Sequence, residues 1–184
     1  MSMHFEELDK VTRSFMLREF DAEEARGNPY RSAVLSPKGL AAYAATMRAA
    51  LASGSEVDVQ RAFAYEHYWN PTETYNKPRG GGLATRAVNF HQASERLGLT
   101  EFNTWYVRGF AARLLSENET MCEVYRASEP KFTHASCSTH EGQRYPVRDI
   151  YDGHRAGYWP PGNTRAGVSI PAGPGCHHTI RRVR

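Results

Sequence analysis

Near residue 119 the hydrophobic period of the chain changes, and that change limits the folds open to it. Before it, apolar residues recur at helical spacing: Phe5, Leu8, Val11, Phe15, Met16 and Phe20 form one stripe. After it, short runs rich in Thr, Ser and Tyr stand between turn signals at Glu141-Gly142, Asp152-Gly153 and Pro160-Pro161-Gly162. Helices first and strands afterwards specify an α+β fold. The helical half spans about residues 3–118 and a small, mostly antiparallel β-sheet about 119–184. The whole chain of 184 residues, 40% of them hydrophobic, is read as one domain with a sizeable core.

Punctuation divides the helical half. Ser36 caps a helix that has Pro37 at its first position and Gly54 at its end; Ser55 opens another that stops at Asn70-Pro71. The stretch NPTETYNKPRGGG, residues 70–82, reads as a Gly/Pro-rich loop or hinge. Its glycines lie beside Lys77, Arg79 and Arg86, a composition suited to a phosphate at a helix start, but without P-loop or dinucleotide spacing. Residues 84–118 resolve into two helical stripes separated by LGLT, with Gly98 for the turn and Thr100 as the next cap. That outline is helix-turn-helix-like. It would bury Phe102, Val107, Phe110 and Leu114 and present Asn103, Tyr106 and Arg113 to DNA. Beyond it, ETMCEVYRA reads as a strand, and two more short strands flank Gly173-Pro174-Gly175.

Charge is unevenly placed. The net charge is +3, yet residues 134–184 carry seven arginines against Glu141, Asp149 and Asp152, so an anionic partner should meet this third. No stretch approaches the roughly 20 apolar residues of a membrane span, and the first ten residues lack the order of a secretory signal. Three cysteines, an odd number, suggest thiols in a reducing compartment, and the expectation is a cytoplasmic protein. The helical half would serve as scaffold or as a homodimer surface.

Chemistry concentrates in the same third. Five of the eight histidines (His134, His140, His154, His177 and His178) and two of the three cysteines fall there. A nuclease-like hydrolase needs a base, an acid and cations for the developing charge; His140, Glu141, His154, His177 and His178 supply the first two. Arg155 and Arg181 would hold phosphate, and Tyr158 and Trp159 would stack on a base or sugar. Trp105, in the middle of a helical stripe, reads as core. Strand alternation puts His177 and His178 on opposite faces, with His178 beside Ile180 on the core side, so His177 is the favoured catalytic histidine.

The catalytic reading needs no cofactor. A second reading has Cys137 and His140, spaced like half a zinc knuckle, joined by Cys176 and His178 around zinc or another divalent metal. The sequence therefore points to a hydrolase acting on phosphodiester or a related nucleic-acid bond. The alternative is a non-catalytic DNA-binding or interaction protein with the 84–118 hairpin and a structural Cys/His zinc site.

Overall fold

The computed structural model describes residues 2–77, 80–129, 139–156, 159, 168–173 and 175–184. Its architecture is α+β, with a helical front half and small antiparallel sheets. Helices α1 (Lys10–Ala25), α2 (Pro37–Ser53) and α3 (Glu56–Ala62) lead into a 3-10 turn at Glu66–Tyr68. A hairpin of β1 (Thr72–Asn76) and β2 (Leu83–Ala87) precedes the 27-residue helix α4 (Phe90–Ser116). Then come β3 (Met121–Arg126), β4 (Arg144–Pro146), α5 (Val147–Asp152) and β5 (His178–Arg182).

The caps of the helical half follow its punctuation. The Ser36 hydroxyl accepts from Gly39 N at 3.2 Å, with Pro37 opening α2 and Gly54 closing it. At α3, Ser55 and Asp58 form a reciprocal capping box.

Helix α4 is the axis of the molecule, packed by α1, α3, α5 and β5. It overturns the helix-turn-helix expectation, because the helix runs unbroken through Leu97–Thr100 and begins only after the Asn89 cap. Gly98 serves close packing here. A Cβ on it would lie 2.4 Å from the Glu56 carbonyl oxygen, and one on Gly109 would lie 2.6 Å from Cα of Met16. The two glycines let α3 and α1 press backbone to backbone on α4. Phe102, Val107, Phe110 and Leu114 are buried as the stripe requires, as is Trp105. Asn103 and Tyr106 are buried with them: Asn103 Nδ2 donates to the His178 carbonyl at 2.8 Å, and the Tyr106 hydroxyl points at that of Ile180. Arg113 is occupied by Asp9 and Glu117.

The stretch expected as a loop over 70–82 is also corrected. Thr72–Asn76 pairs antiparallel with Leu83–Ala87, so residues 72–76 of that stretch are strand and not loop, and a strand rather than a helix follows it. These strands are mostly exposed, and without an apolar face their alternation is hidden by the glycines between them.

The three-stranded sheet has the order β4-β3-β5, antiparallel throughout, with Val124 opposite Ile180 and Arg126 opposite His178. The turn at Glu141-Gly142 is present, with Gly142 at φ +74°. A short helix, α5, stands where one of several short strands was expected, and of the two strands expected around Gly173-Pro174-Gly175 only β5 is present among the described residues.

Residues 3–7 cross the sheet, tied by His4 N to the Ala127 carbonyl and by the Tyr125 hydroxyl to the His4 carbonyl, each at 2.8 Å. That crossing brings Glu6 and Glu7 to the basic C-terminus. Arg181 binds Glu6 and Glu123, Arg182 binds Glu7, Glu117 and Glu119, and Arg184 binds Glu6. No helix among the described residues is long and apolar enough to cross a membrane.

Candidate functional site

Two groups of titratable side chains take in five of the expected site residues, His154 and Arg155 in one and Glu141, Cys176 and His178 in the other. The first is buried beneath α4. Arg155 is 2% exposed, and its Nη1 and Nη2 donate to Oε1 and Oε2 of Glu101 at 3.1 and 2.9 Å. Such a two-pronged pair satisfies both ions at once, which burial demands. The Tyr43 hydroxyl adds a third bond to Glu101 at 2.6 Å; burial first, and then the Glu101 charge, push that phenol well above its ordinary range. Arg155 also lies over the rings of Tyr30 and Trp105 and 3.6 Å from Glu23. Its backbone sits at φ +57°, a left-handed conformation costly for a side chain of this size.

His154 belongs to the same group, its Nε2 standing 3.1 Å from Oε2 of Glu23. Burial drives the imidazole down to about 4, helped by Arg155 and opposed by Glu23. Burial alone would raise Glu23, but the His154 hydrogen bond and the Arg155 charge override it and hold the carboxyl at about 2. At neutral pH this is a neutral imidazole between an ionised carboxylate and a guanidinium. Glu23, Tyr43 and Glu101 were not singled out from the sequence. A single charged residue inside the otherwise uncharged run LGLTEFNTWYV was the available signal for Glu101.

The second group lies at the end of the sheet. Gly175, at φ +80°, turns the chain into β5, a conformation that glycine alone adopts without strain. Cys176 and His178, two residues apart, then reach the same side of the strand. The Cys176 sulfur is 3.9 Å from Nδ1 of His178, and Nε2 of His178 is 3.3 Å from Oε2 of Glu141. Thiol, imidazole and carboxylate thus form a chain. Cys176 is 4% exposed and His178 5%, while the Glu141 side chain is 39% exposed.

The Glu141 carboxyl is held below its ordinary range, first by the Arg126 hydrogen bond at 2.7 Å and then by His178. An ionised Glu141 accepts a hydrogen bond from Nε2–H, which fixes the tautomer and leaves the Nδ1 lone pair facing the sulfur. The neighbouring His140 is aimed separately, its Nδ1 lying 2.7 Å from the Tyr145 hydroxyl. Asn103, through the His178 carbonyl, fastens this strand to α4, while its own Oδ1 is buried and has no donor among the described residues.

The expected residues therefore divide. Glu141 and His178 meet, and His140 precedes them in the turn; His154 and Arg155 join Glu23 and Glu101 instead. His177 is half-buried, and its carbonyl accepts from Ala127 N. Arg181 lies among Glu6 and Glu123, and Trp159 packs edge-on against Tyr30 at 5.6 Å. Cys137, Tyr158 and His134 lie outside the described residues. Among those described, no three His, Cys, Asp or Glu side chains converge to hold a metal ion. Cys176 was read from sequence only as a ligand; its spacing from His178, two residues along one strand face, was the signal for the present pairing. No protein-family model, curated protein or solved structure matches this chain.

Proposed function

We propose that the chain is a thiol-dependent hydrolase acting on an acyl bond, with Cys176 as nucleophile, His178 as base and Glu141 as the group that orients the imidazole. The observation that carries this reading is the ordered contact Cys176–His178–Glu141, with each ring nitrogen given its own partner. In the first step Nδ1 of His178 takes the thiol proton as sulfur forms a bond to the carbonyl carbon. The bond from that carbon to the leaving oxygen or nitrogen then breaks, and His178 returns the proton to the leaving group. Water attacks the resulting thioester, again losing a proton to His178, and the thiol is restored. A positioned base of this kind contributes about 10²–10⁴-fold in rate.

Burial shapes the substrate. A cysteine only 4% exposed favours a slim acyl group carried on an extended chain over a bulky one. Phosphodiester cleavage, expected from the histidines and arginines, is less well supported. Arg155 and Arg181, the cations it would place on phosphate, are each held by two carboxylates.

The test is the reaction of the purified protein with p-nitrophenyl butyrate, with zinc measured in the same sample. The expected result is a burst of one nitrophenolate per chain, lost in Cys176→Ala and slowed at least tenfold in His178→Gln. The proposal is overturned by a burst that survives Cys176→Ala. It is also overturned by one equivalent of zinc that leaves with either residue, which would make Cys176 and His178 metal ligands.

A further inference from the structure

A pocket of about 260 Å³ opens between α4 and the hairpin, separate from the thiol group and with no part in the chemistry above. Tyr30, Trp69, Ala93 and Leu97 give it an aromatic and aliphatic lining, and Thr100, Arg96, Glu73 and Glu101 line it with polar groups. The α4 residues fall at helical spacing on one face, so the pocket is built on the most rigid element of the fold. Trp69 is fixed as well, because its indole nitrogen donates to the Phe63 carbonyl at 2.8 Å.

The charges around the opening do not cancel. Glu101 is answered by Arg155, and Glu73 by Arg86 at 2.8 Å. Arg96 is exposed and has no carboxylate within ion-pair distance among the described residues. A ligand that filled the pocket would therefore meet aromatic and aliphatic walls inside and one unanswered guanidinium at the mouth. A cavity of about 150 Å³ accepts benzene, so this one suits a flat molecule of nearly twice that size. From these features we infer that the pocket is a binding site for a small planar, largely apolar molecule bearing one carboxylate, a fused two-ring aromatic acid being the best fit in size and charge. The rings would stack between Tyr30 and Trp69 and the carboxylate would take the guanidinium fork.

The experiment uses 2-naphthoate as probe, with 2-naphthamide as its neutral counterpart, read by Trp fluorescence and by chemical-shift changes in the full chain. Naphthoate is expected to bind several-fold more tightly than the amide, with shifts centred on Tyr30, Trp69 and Leu97. Arg96→Gln, at an exposed position that leaves folding intact, should remove that preference, weakening naphthoate about fivefold while leaving the amide unchanged. Equal affinity for the two probes, a preference that survives Arg96→Gln, or no saturable binding of naphthoate would each overturn the inference.

Discussion

Two histidines in this protein stand beside a glutamate, and they are placed for different work. His154 meets Glu23 at 3.1 Å beside a buried guanidinium that is itself locked to Glu101. His178 meets Glu141 at 3.3 Å, and its other ring nitrogen faces a thiol. In the first group each ion is spent on another, and the imidazole is kept neutral by burial and by Arg155. The second pair has an acceptor at one ring nitrogen and a thiol at the other. A His–Glu contact alone therefore says little about function; what decides is the group on the far side of the ring.

Removing one member of each group should break this comparison most sharply. Arg155→Met would leave the buried Glu101 and the part-buried Glu23 without their cation, and a loss of about 3–5 kcal/mol is expected in urea unfolding. Glu141→Gln, at a half-open ion pair, should cost about 1 kcal/mol or less. Similar costs for the two would erase the distinction between a buried charge lattice and a working site.

The pH dependence sharpens it next. His154 is lowered from 6.5 to about 4, so its contribution is fully present above pH 6.5 and is lost as the pH falls toward 4, because the unfolded chain binds the proton first. Glu23 is lowered from 4.5 to about 2, so its contribution is present above pH 4.5 and is lost as the pH falls toward 2. Each contributes a slope of at most about 1.4 kcal/mol per pH unit within its window. Unfolding midpoints should therefore fall between pH 6.5 and 4, and His154→Gln should flatten that part of the curve. A wild-type curve flat over this window would show that His154 is not buried neutral against Glu23.

Smaller effects should follow at the ties to the sheet. Asn103→Ala removes the bond to the His178 carbonyl and is expected to cost about 1–2 kcal/mol, together with a rise in amide exchange along β5. Tyr145→Phe removes the partner of His140 Nδ1, with an expected cost of about 0.5–1 kcal/mol in urea unfolding. If Tyr145→Phe alone abolished ester turnover, the working histidine would be His140.

Much of the scaffold was legible from residue spacing. Ser36, Pro37 and Gly54 bound α2, the period change near 119 marks the start of the sheet, and the apolar stripe of α4 is buried as expected. The errors have physical causes. Gly98 was read as a turn because a sequence shows a glycine's freedom but not the neighbouring helix that requires its missing side chain. The 72–87 hairpin escaped because its strands bury neither face well. The C-terminal arginines looked available for an anion, since the carboxylates that meet Arg181, Arg182 and Arg184 include Glu6 and Glu7 from the opposite end of the chain. Glu141 and His178 were singled out individually, but their meeting depends on β3 lying between β4 and β5, an order that no residue pattern records.

The central claim is that His178, oriented by Glu141, activates Cys176. The rate of acylation of Cys176 by p-nitrophenyl butyrate, followed by peptide mass spectrometry from pH 5 to 9, tests it most directly, with Cys122 as internal control. Cys122 is fully buried and its thiol is pushed up to about 12 by that burial, so it should stay unmodified. Cys176 should acylate at neutral pH, with His178→Gln displacing its profile to higher pH and Glu141→Gln lowering its plateau. A Cys176 profile identical in the wild type and in His178→Gln would contradict the account.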